Sequence, residues 1–169
     1  ISHFTDWTIA HVHIGGLGWN GMLTFGMLYW LVPRMWTTEL YSKKAANFHF
    51  WISTLGILFY ALPLYWAGFT QYFMWQEFRP EGMLKYPNFL DTVLQLLPMY
   101  TMRVVGGTMY LTGAIVMAWN LRQTMKRGSF LADEAAEAPA LERITGRIPG
   151  ESWHRWIERR PMPLLIGSL

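Results

Sequence analysis

Cysteine is missing from the whole chain of 169 residues. Without a thiol there is no disulfide framework, no thiolate metal site and no Cys-x-x-Cys-His attachment for a c-type haem in this segment. Charge is also scarce, since Asp, Glu, Lys and Arg make up 15% of the residues, whereas 52% are hydrophobic and 17% are aromatic. This composition is rich for a soluble domain, so a membrane protein is the class to test. The formal net charge of +3 agrees with basic cytoplasmic flanks and needs no nucleic-acid partner.

Long intervals between charged residues predict three transmembrane helices. A bilayer core of about 30 Å needs a helix of about 20 mostly apolar residues. Residues 7–32 contain no charged residue, and neither do residues 45–76. A third interval, residues 92–121, carries a single charge at Arg103. We therefore predict an all-α membrane protein with three spans and a cytoplasmic tail.

Lys and Arg in the flanking segments predict the orientation of these spans. Residues 34–44, between the first two spans, hold three basic residues, and residues 122–127, after the third span, hold three more. Residues 77–91, between the second and third spans, mix both signs of charge. Because cytoplasmic loops carry the excess of Lys and Arg, the first span should begin at the outer face. The tail should then lie in the cytoplasm.

His11 and His13 lie within the first turns of the first predicted span. Ionisable side chains are costly at membrane depth and tend to face partners inside a bundle, and imidazole is the commonest metal ligand. Residues i and i+2 of an α-helix point about 200° apart and lie about 3 Å apart along the axis. The two rings therefore cannot chelate one ion, but each could supply an axial ligand to a different haem. The plainer interpretation is two hydrogen-bonded histidines at a helix interface.

Glycine and proline add detail to the first span. Four glycines follow the histidine pair, and a neighbouring helix or a flat macrocycle could approach the backbone closely there. They are Gly15, Gly16, Gly18 and Gly21. Pro33 is predicted to end the helix.

The residues around the histidine pair resemble a known family. Residues 5–13 read TDWTIAHVH, and residues 16–19 read GLGW. This sequence resembles the tenth transmembrane helix of subunit I of the cbb3-type cytochrome c oxidases, which are haem-copper oxidases. Further segments resemble the rest of that helix, the eleventh and the twelfth: residues 29–33, 41–42, 49–51, 54–56, 68–71, 74–75, 103–107 and 117–120. The resemblance covers residues 2–127, with its motifs in order and at compatible spacing.

The resemblance implies a terminal respiratory oxidase that reduces oxygen to water with electrons from cytochrome c and translocates protons. His11 would be the proximal ligand of the high-spin haem b3, and therefore the catalytic residue, and His13 would be an axial ligand of the low-spin haem b. Copper B would face haem b3, held by histidines outside this segment. The implied partners are the remainder of subunit I, c-type cytochrome subunits, a cytochrome c donor, oxygen and the lipid bilayer. The implied location is the bacterial inner membrane, crossed several times.

Other polar residues have both a functional and a plain interpretation. Arg103 lies near the outer end of the third span, where haem propionates of the resembled family also lie, so it would bind a propionate or else snorkel to the interface. His3 and Asp6 could share in propionate hydrogen bonding or in a proton exit route, or Asp6 could cap the helix. His49, at the cytoplasmic start of the second span, is interpreted as structural.

We divide the chain into three parts. Residues 1–127 form the haem-binding transmembrane portion, residues 128–152 form a cytoplasmic linker, and residues 153–169 form a separate segment. This last segment begins WHRW and continues into an apolar run, so it is either an amphipathic surface helix or the start of a further transmembrane helix. The second interpretation resembles the junction to a fused mono-haem cytochrome c subunit.

Two other functions stay open at this point. A nitric oxide reductase belongs to the same superfamily and has a different metal beside its high-spin haem, although its ligand helix does not usually read like residues 16–19. A non-catalytic di-haem electron carrier would use the same histidine pair and would leave both haems six-coordinate.

Overall fold

The computed structural model describes residues 1–132, and the regular secondary structure of this part is helical. Helix α1 spans Asp6–His13 and runs without a break into a π-helical segment, Ile14–Gly21, and then into α2, Met22–Met35. Two long helices follow, α3 at Lys43–Trp75 and α4 at Phe89–Arg127. The predicted all-α class is confirmed. Most of the predicted linker, and all of the segment that follows it, lie outside the described residues.

The helices match the predicted spans. Both α3 and α4 are long and apolar enough to cross a membrane. The first span is built from three shorter pieces, but residues 6–35 are 30 residues of continuous helical backbone, which is enough to cross a core of about 30 Å. The intervals found from the scarcity of charge therefore lie within helices, to within one residue.

Pro33 does not end the first helix, contrary to the prediction. Helix α2 continues to Met35, and helical bonding persists on both sides of the proline. The Trp36 N–H donates to the Val32 carbonyl at 3.1 Å, and the Thr38 N–H donates to the Pro33 carbonyl at 2.9 Å. A proline removes only its own N–H from the ladder, so the last turn can form around it.

Helices α3 and α4 pack with their backbones nearly in contact at Gly56 and Gly106. A Cβ atom on Gly56 would lie 2.8 Å from the Gly106 carbonyl oxygen and 2.7 Å from the Tyr110 nitrogen. A Cβ atom on Gly106 would lie 2.5 Å from the Tyr60 nitrogen. Small residues of this kind let membrane helices approach closely. Since α3 and α4 form the main helix pair of the described part, this crossing sets the frame on which α1 rests.

Helix α1 docks on α3 through another glycine. A Cβ atom on Gly68 would lie 2.5 Å from the Trp7 nitrogen, so the first turn of α1 lies directly against the α3 backbone. Ala10 and Leu64 are fully buried in the same two helices. The buried face of α1 therefore turns toward α3.

The end predicted to be cytoplasmic is closed by polar side chains of α4. Asn120 accepts a hydrogen bond from the Ser42 N–H at 3.0 Å and donates to the Ser42 carbonyl at 2.9 Å. Thr124 accepts from the Tyr41 N–H at 3.0 Å. Ser42 in turn caps α3 by accepting from the Ala45 N–H at 3.1 Å. The basic loop between α2 and α3 is thus fixed to the end of α4.

The loop between α3 and α4, residues 76–88, has a defined conformation and includes most of the segment 77–91 predicted to face outward. Phe78 pairs with Leu84 in an antiparallel bridge, and Lys85 donates a hydrogen bond to Glu77 at 2.5 Å. This bond is the main reason that the pKa of Lys85 is raised above its usual value. Asn88 ends the loop by capping α4, accepting from the Leu90 N–H at 3.1 Å.

The outer faces of the helices expose large apolar side chains. Trp66 is 68% exposed, Leu62 is 60% exposed and Trp51 is 56% exposed. Contiguous apolar surface of this kind marks contact with lipid or with other protein. The described helices are therefore suited to a bilayer and to a larger bundle.

Candidate functional site

His13 is held in one tautomer by its own helix. Its Nδ1 lies 2.7 Å from the carbonyl oxygen of Ile9, one turn earlier. A carbonyl can only accept, so Nδ1 carries a proton, and in the neutral form of the ring the lone pair lies on Nε2. Metal-ligating histidines usually donate their other ring N–H in this manner. The His13 ring also packs against Tyr60 of α3, with ring centres 4.8 Å apart.

His11 is exposed and is supported by Trp7. The two rings stack with their centres 5.3 Å apart and their planes 13° from parallel. Trp7 in turn meets the Tyr65 ring of α3 edge-on, with centres 5.5 Å apart. The His11 ring is thus oriented by a side chain that is itself fixed against α3.

The two imidazoles diverge around the contact between α1 and α3. His13 lies beside Tyr60, and Trp7, on which His11 stacks, lies beside Tyr65. Five residues along an α-helix correspond to about 140° around its axis, so these tyrosines lie on different flanks of α3. Within residues 1–132, no group of three or more His, Cys, Asp or Glu side chains could hold a metal ion. The arrangement suits two separate single ligands.

The four glycines after the pair fall into two groups. A Cβ atom on Gly21 would collide with the Tyr110 hydroxyl, whereas one on Gly18 would make only an ordinary contact with Ile57 at 3.8 Å. A Cβ atom on Gly15 or on Gly16 would meet nothing within 4 Å. The backbone there is open to a flat group or to another helix. The predicted close approach by a neighbouring helix is therefore found at one of the four positions, Gly21.

Asp6 is not a helix cap, contrary to the plain interpretation of the sequence. The cap position is Thr5, and Asp6 is the first residue of α1. The Asp6 carboxylate accepts hydrogen bonds from Gln71 Nε2 at 2.9 Å and from the Tyr100 hydroxyl at 2.7 Å. Its N–H donates to Gln71 Oε1 at 2.7 Å. The carboxylate turns to these donors on α3 and α4 because it is 6% exposed and has to be hydrogen-bonded.

Arg103 lies close to this network but outside it. Its guanidinium carbon lies 5.1 Å from the centre of the Tyr100 ring, within the range of a cation–π contact. Arg103 is half-buried, so the cation is neither free in solvent nor fully enclosed. His3, by contrast, is exposed next to the Phe4 ring, and no hydrogen bond of the described part joins it to Asp6.

His49 is buried at 2% exposure and packs against α2 rather than α1. Its Nδ1 lies 3.2 Å from the Tyr29 hydroxyl, and the Phe25 ring meets it edge-on at 4.9 Å. These contacts fit the structural role expected of it.

Sequence reasoning missed the residues that support the histidines. Trp7 was not singled out from the sequence, although its spacing of four from His11 places both on one helix face. Gln71 and Tyr100 stand as polar residues in apolar runs, which was the available signal. Their common partner, Asp6, is 65 and 94 residues away along the chain, so spacing alone could not join them.

Two described helices of membrane-spanning length, together with a histidine pair on a further helical segment, are typical of a multi-pass membrane protein with candidate metal ligands. A family profile identifies it more closely. The profile described as cytochrome c and quinol oxidase polypeptide I matches residues 1–109. The chain belongs to this family, and it is a multi-pass protein of a bacterial membrane.

Several curated relatives are similar over most of the chain. The cytochrome c oxidase subunit 1 homolog of Agrobacterium tumefaciens (strain T37) is 50% identical over 126 residues, 74% of this chain and 23% of the relative. Cytochrome c oxidase subunit 1 of Rhodobacter capsulatus is 48% identical over 83% of this chain and 26% of the relative. The cbb3-type cytochrome c oxidase subunit CcoN1 of Stutzerimonas stutzeri is 38% identical over 75% of this chain and 27% of the relative. The chain spans about a quarter of the length of these relatives.

Proposed function

We propose that this chain is a portion of subunit I of a cbb3-type cytochrome c oxidase. Similarity to a cbb3-type subunit over 75% of the chain and the motif TDWTIAHVH at residues 5–13 support the type. The complete enzyme reduces oxygen to water with electrons from cytochrome c and couples this reaction to proton translocation. It lies in the bacterial inner membrane.

His13 would hold the low-spin haem b, and His11 would hold the high-spin haem b3. The observation that carries this assignment is the divergence of the two rings, together with the His13 Nδ1 to Ile9 bond of 2.7 Å that leaves Nε2 free to bind iron. The residues fit haem because His11 is exposed and the backbone at Gly15 and Gly16 is open. When bound, the haems supply one-electron redox chemistry, with oxygen reduction beside copper B.

The protein's own residues orient the ligands and balance charge. Trp7 fixes the His11 ring by stacking, and Ile9 fixes the tautomer of His13. Arg103 supplies a permanent half-buried cation for a haem propionate, since a guanidinium pairs well with a carboxylate. Three copper ligands and the second haem b ligand come from other parts of subunit I.

The histidine pair lies nearer the outer face, because it occupies the first turns of a helix that begins there. A c-type cytochrome subunit at that face would therefore be close to the haems that His13 and His11 would hold. Protons for water formation have to travel further, from the cytoplasm. The partners are the remainder of subunit I, the c-type cytochrome subunits, the cytochrome c donor and the lipid bilayer.

The direct test of the activity uses the complete purified oxidase. We expect oxygen uptake with reduced cytochrome c that His11→Ala abolishes and that the control His3→Ala leaves unchanged. His3 is a suitable control because it is exposed and outside α1. Turnover of nitric oxide without oxygen uptake would instead make the enzyme a nitric oxide reductase. Two six-coordinate haems without either activity would make it an electron carrier.

A further inference from the structure

We propose that Tyr100 and Tyr110 of α4 are positioning residues that hold the histidine-bearing helix at both of its ends. This inference rests on the proposed function, since it assigns a role relative to the haem ligands His11 and His13. Each tyrosine hydroxyl donates one hydrogen bond to the first helical segment, and the pair lies between these two attachments.

The first attachment lies before the pair. The Tyr100 hydroxyl donates to Asp6 at 2.7 Å, and Gln71 holds the same carboxylate at 2.9 Å. Asp6 is 6% exposed and Gln71 is 8% exposed, so water competes little for these bonds. Asp6 is five residues before His11, and the attachment therefore fixes the start of the ligand helix against both α3 and α4.

The second attachment lies after the pair, within the π-helical segment. The Tyr110 hydroxyl donates to the Leu17 carbonyl at 2.9 Å. Leu17 lies in the middle of the π-helical segment, Ile14–Gly21, so this bond holds the part of the helix that follows the histidine pair. Gly21 makes room, since a Cβ atom there would collide with the Tyr110 hydroxyl.

The spacing of the two tyrosines along α4 matches the spacing of the two residues that they contact. Tyr100 contacts residue 6 and Tyr110 contacts residue 17, so α4 and the first helical segment run in the same direction. Ten residues of α-helix rise about 15 Å, which is close to the rise between the two attached positions. A helix held at one point can pivot, whereas a helix held at two points has both its rotation and its depth fixed. The orientation of both imidazoles then depends on two hydroxyl groups.

The two tyrosine hydroxyl groups can be removed without creating a cavity between the helices. Tyr100→Phe and Tyr110→Phe each delete one donor and keep the ring. The matched control is Tyr72→Phe, because no hydrogen bond of the described part uses the Tyr72 hydroxyl and its ring packs against Phe73. The variants are made in the complete oxidase, and only assembled enzyme with full haem content is compared.

The first measurement is the electron paramagnetic resonance spectrum of the low-spin haem, with its midpoint potential. We expect Tyr110→Phe to shift the g-values, because its attachment is four residues from His13, and the double variant to shift them further. Wild-type g-values and potentials in the assembled double variant would overturn the proposal. If the double variant does not assemble, the two single variants decide by the same criterion.

The second measurement does not depend on haem. Hydrogen exchange of the backbone amides in residues 6–21 should be about five-fold faster for each hydroxyl removed, as expected for one ordinary hydrogen bond. Tyr72→Phe should leave it unchanged. Gly21→Ala should also speed the hydrogen exchange of residues 14–21, and this increase should be smaller when the change is combined with Tyr110→Phe. Equal exchange in all variants would contradict the proposal.

Failure of the positioning role can be distinguished from failure of the proposed haem-ligand assignment. His11→Ala and His13→Ala are measured alongside, with both tyrosines intact. If these variants keep both haems, the ligand assignment fails whatever the tyrosines do. If they lose their haems as assigned while the tyrosine variants match wild type, only the positioning role fails.

Discussion

Trp7 and His11 stack one helical turn apart, with ring centres 5.3 Å apart and planes 13° from parallel. The tryptophan is itself fixed, because its backbone lies against Gly68 and its ring meets Tyr65. An exposed imidazole would otherwise sample several rotamers. The stacking therefore fixes the orientation of the His11 ring and would favour its proposed role as a haem ligand.

Trp7→Leu should loosen the haem held by His11. An aromatic pair contributes about 0.5–1.5 kcal/mol, so loss of the stacking should speed release of the high-spin haem about two- to ten-fold. The rate can be followed as transfer of haem to apomyoglobin. Trp7→Phe keeps an aromatic face and should stay near wild type. Equal release rates in the leucine and phenylalanine variants would show that stacking is unimportant.

Arg103→Leu should lower the midpoint potential of a haem. The guanidinium stabilises the reduced, more negative state, and removal of about 1 kcal/mol of this stabilisation corresponds to a fall on the order of 50 mV for a one-electron couple. Arg103→Lys keeps the charge and should recover much of the potential. Arg122→Leu, at the other end of α4, is the control and should have no effect. A potential unchanged in Arg103→Leu would favour an interface anchor.

Gly106→Ala should impair assembly, whereas Gly107→Ala should not. A Cβ atom on Gly106 would meet α3 backbone at 2.5–2.7 Å, and rigid backbone cannot yield. At Gly107 the nearest atom is on the Tyr60 ring at 3.7 Å, which is an ordinary contact. Overpacking of this kind costs about 1–3 kcal/mol. The yield of haem-loaded complex and its thermal midpoint measure the difference, and equal values for the two variants would argue against the close α3–α4 crossing.

The topology can be tested with single cysteines in this cysteine-free chain. Glu39 and Glu81 are exposed residues in the two loops, and neither caps a helix. With other reactive thiols of the host protein removed, a membrane-impermeant maleimide should label Glu81→Cys in intact cells. Glu39→Cys should react only after the membrane is permeabilised. The opposite pattern would reverse the orientation and the proposed side of electron entry.

The sequence predicted the helices well, because a bilayer excludes charge. The intervals at residues 7–32, 45–76 and 92–121 could be found from the positions of Asp, Glu, Lys and Arg alone. The histidine pair stood out for the same physical reason. The divergence of its rings followed from helix geometry, and the structure places them beside Tyr60 and on Trp7.

The supporting contacts could not be predicted in this way. The π-helical segment at residues 14–21 differs from α-helix by one residue in hydrogen-bond register, and its glycines do not distinguish the two. The bond between Tyr100 and Asp6 joins residues 94 apart and depends on how α1 and α4 pack. Pro33 was misjudged because a proline two residues from a helix end disrupts little.

His11 and His13 are proposed to ligate different haems. The most direct measurement is the optical and electron paramagnetic resonance spectrum of the complete oxidase carrying His11→Ala or His13→Ala, with haem quantified as the pyridine haemochrome. We expect His13→Ala to lose the low-spin signal while carbon monoxide still binds a high-spin haem, and His11→Ala to lose the carbon monoxide signal while low-spin haem persists. Loss of the same haem in both variants, or retention of both haems in each, would contradict the assignment.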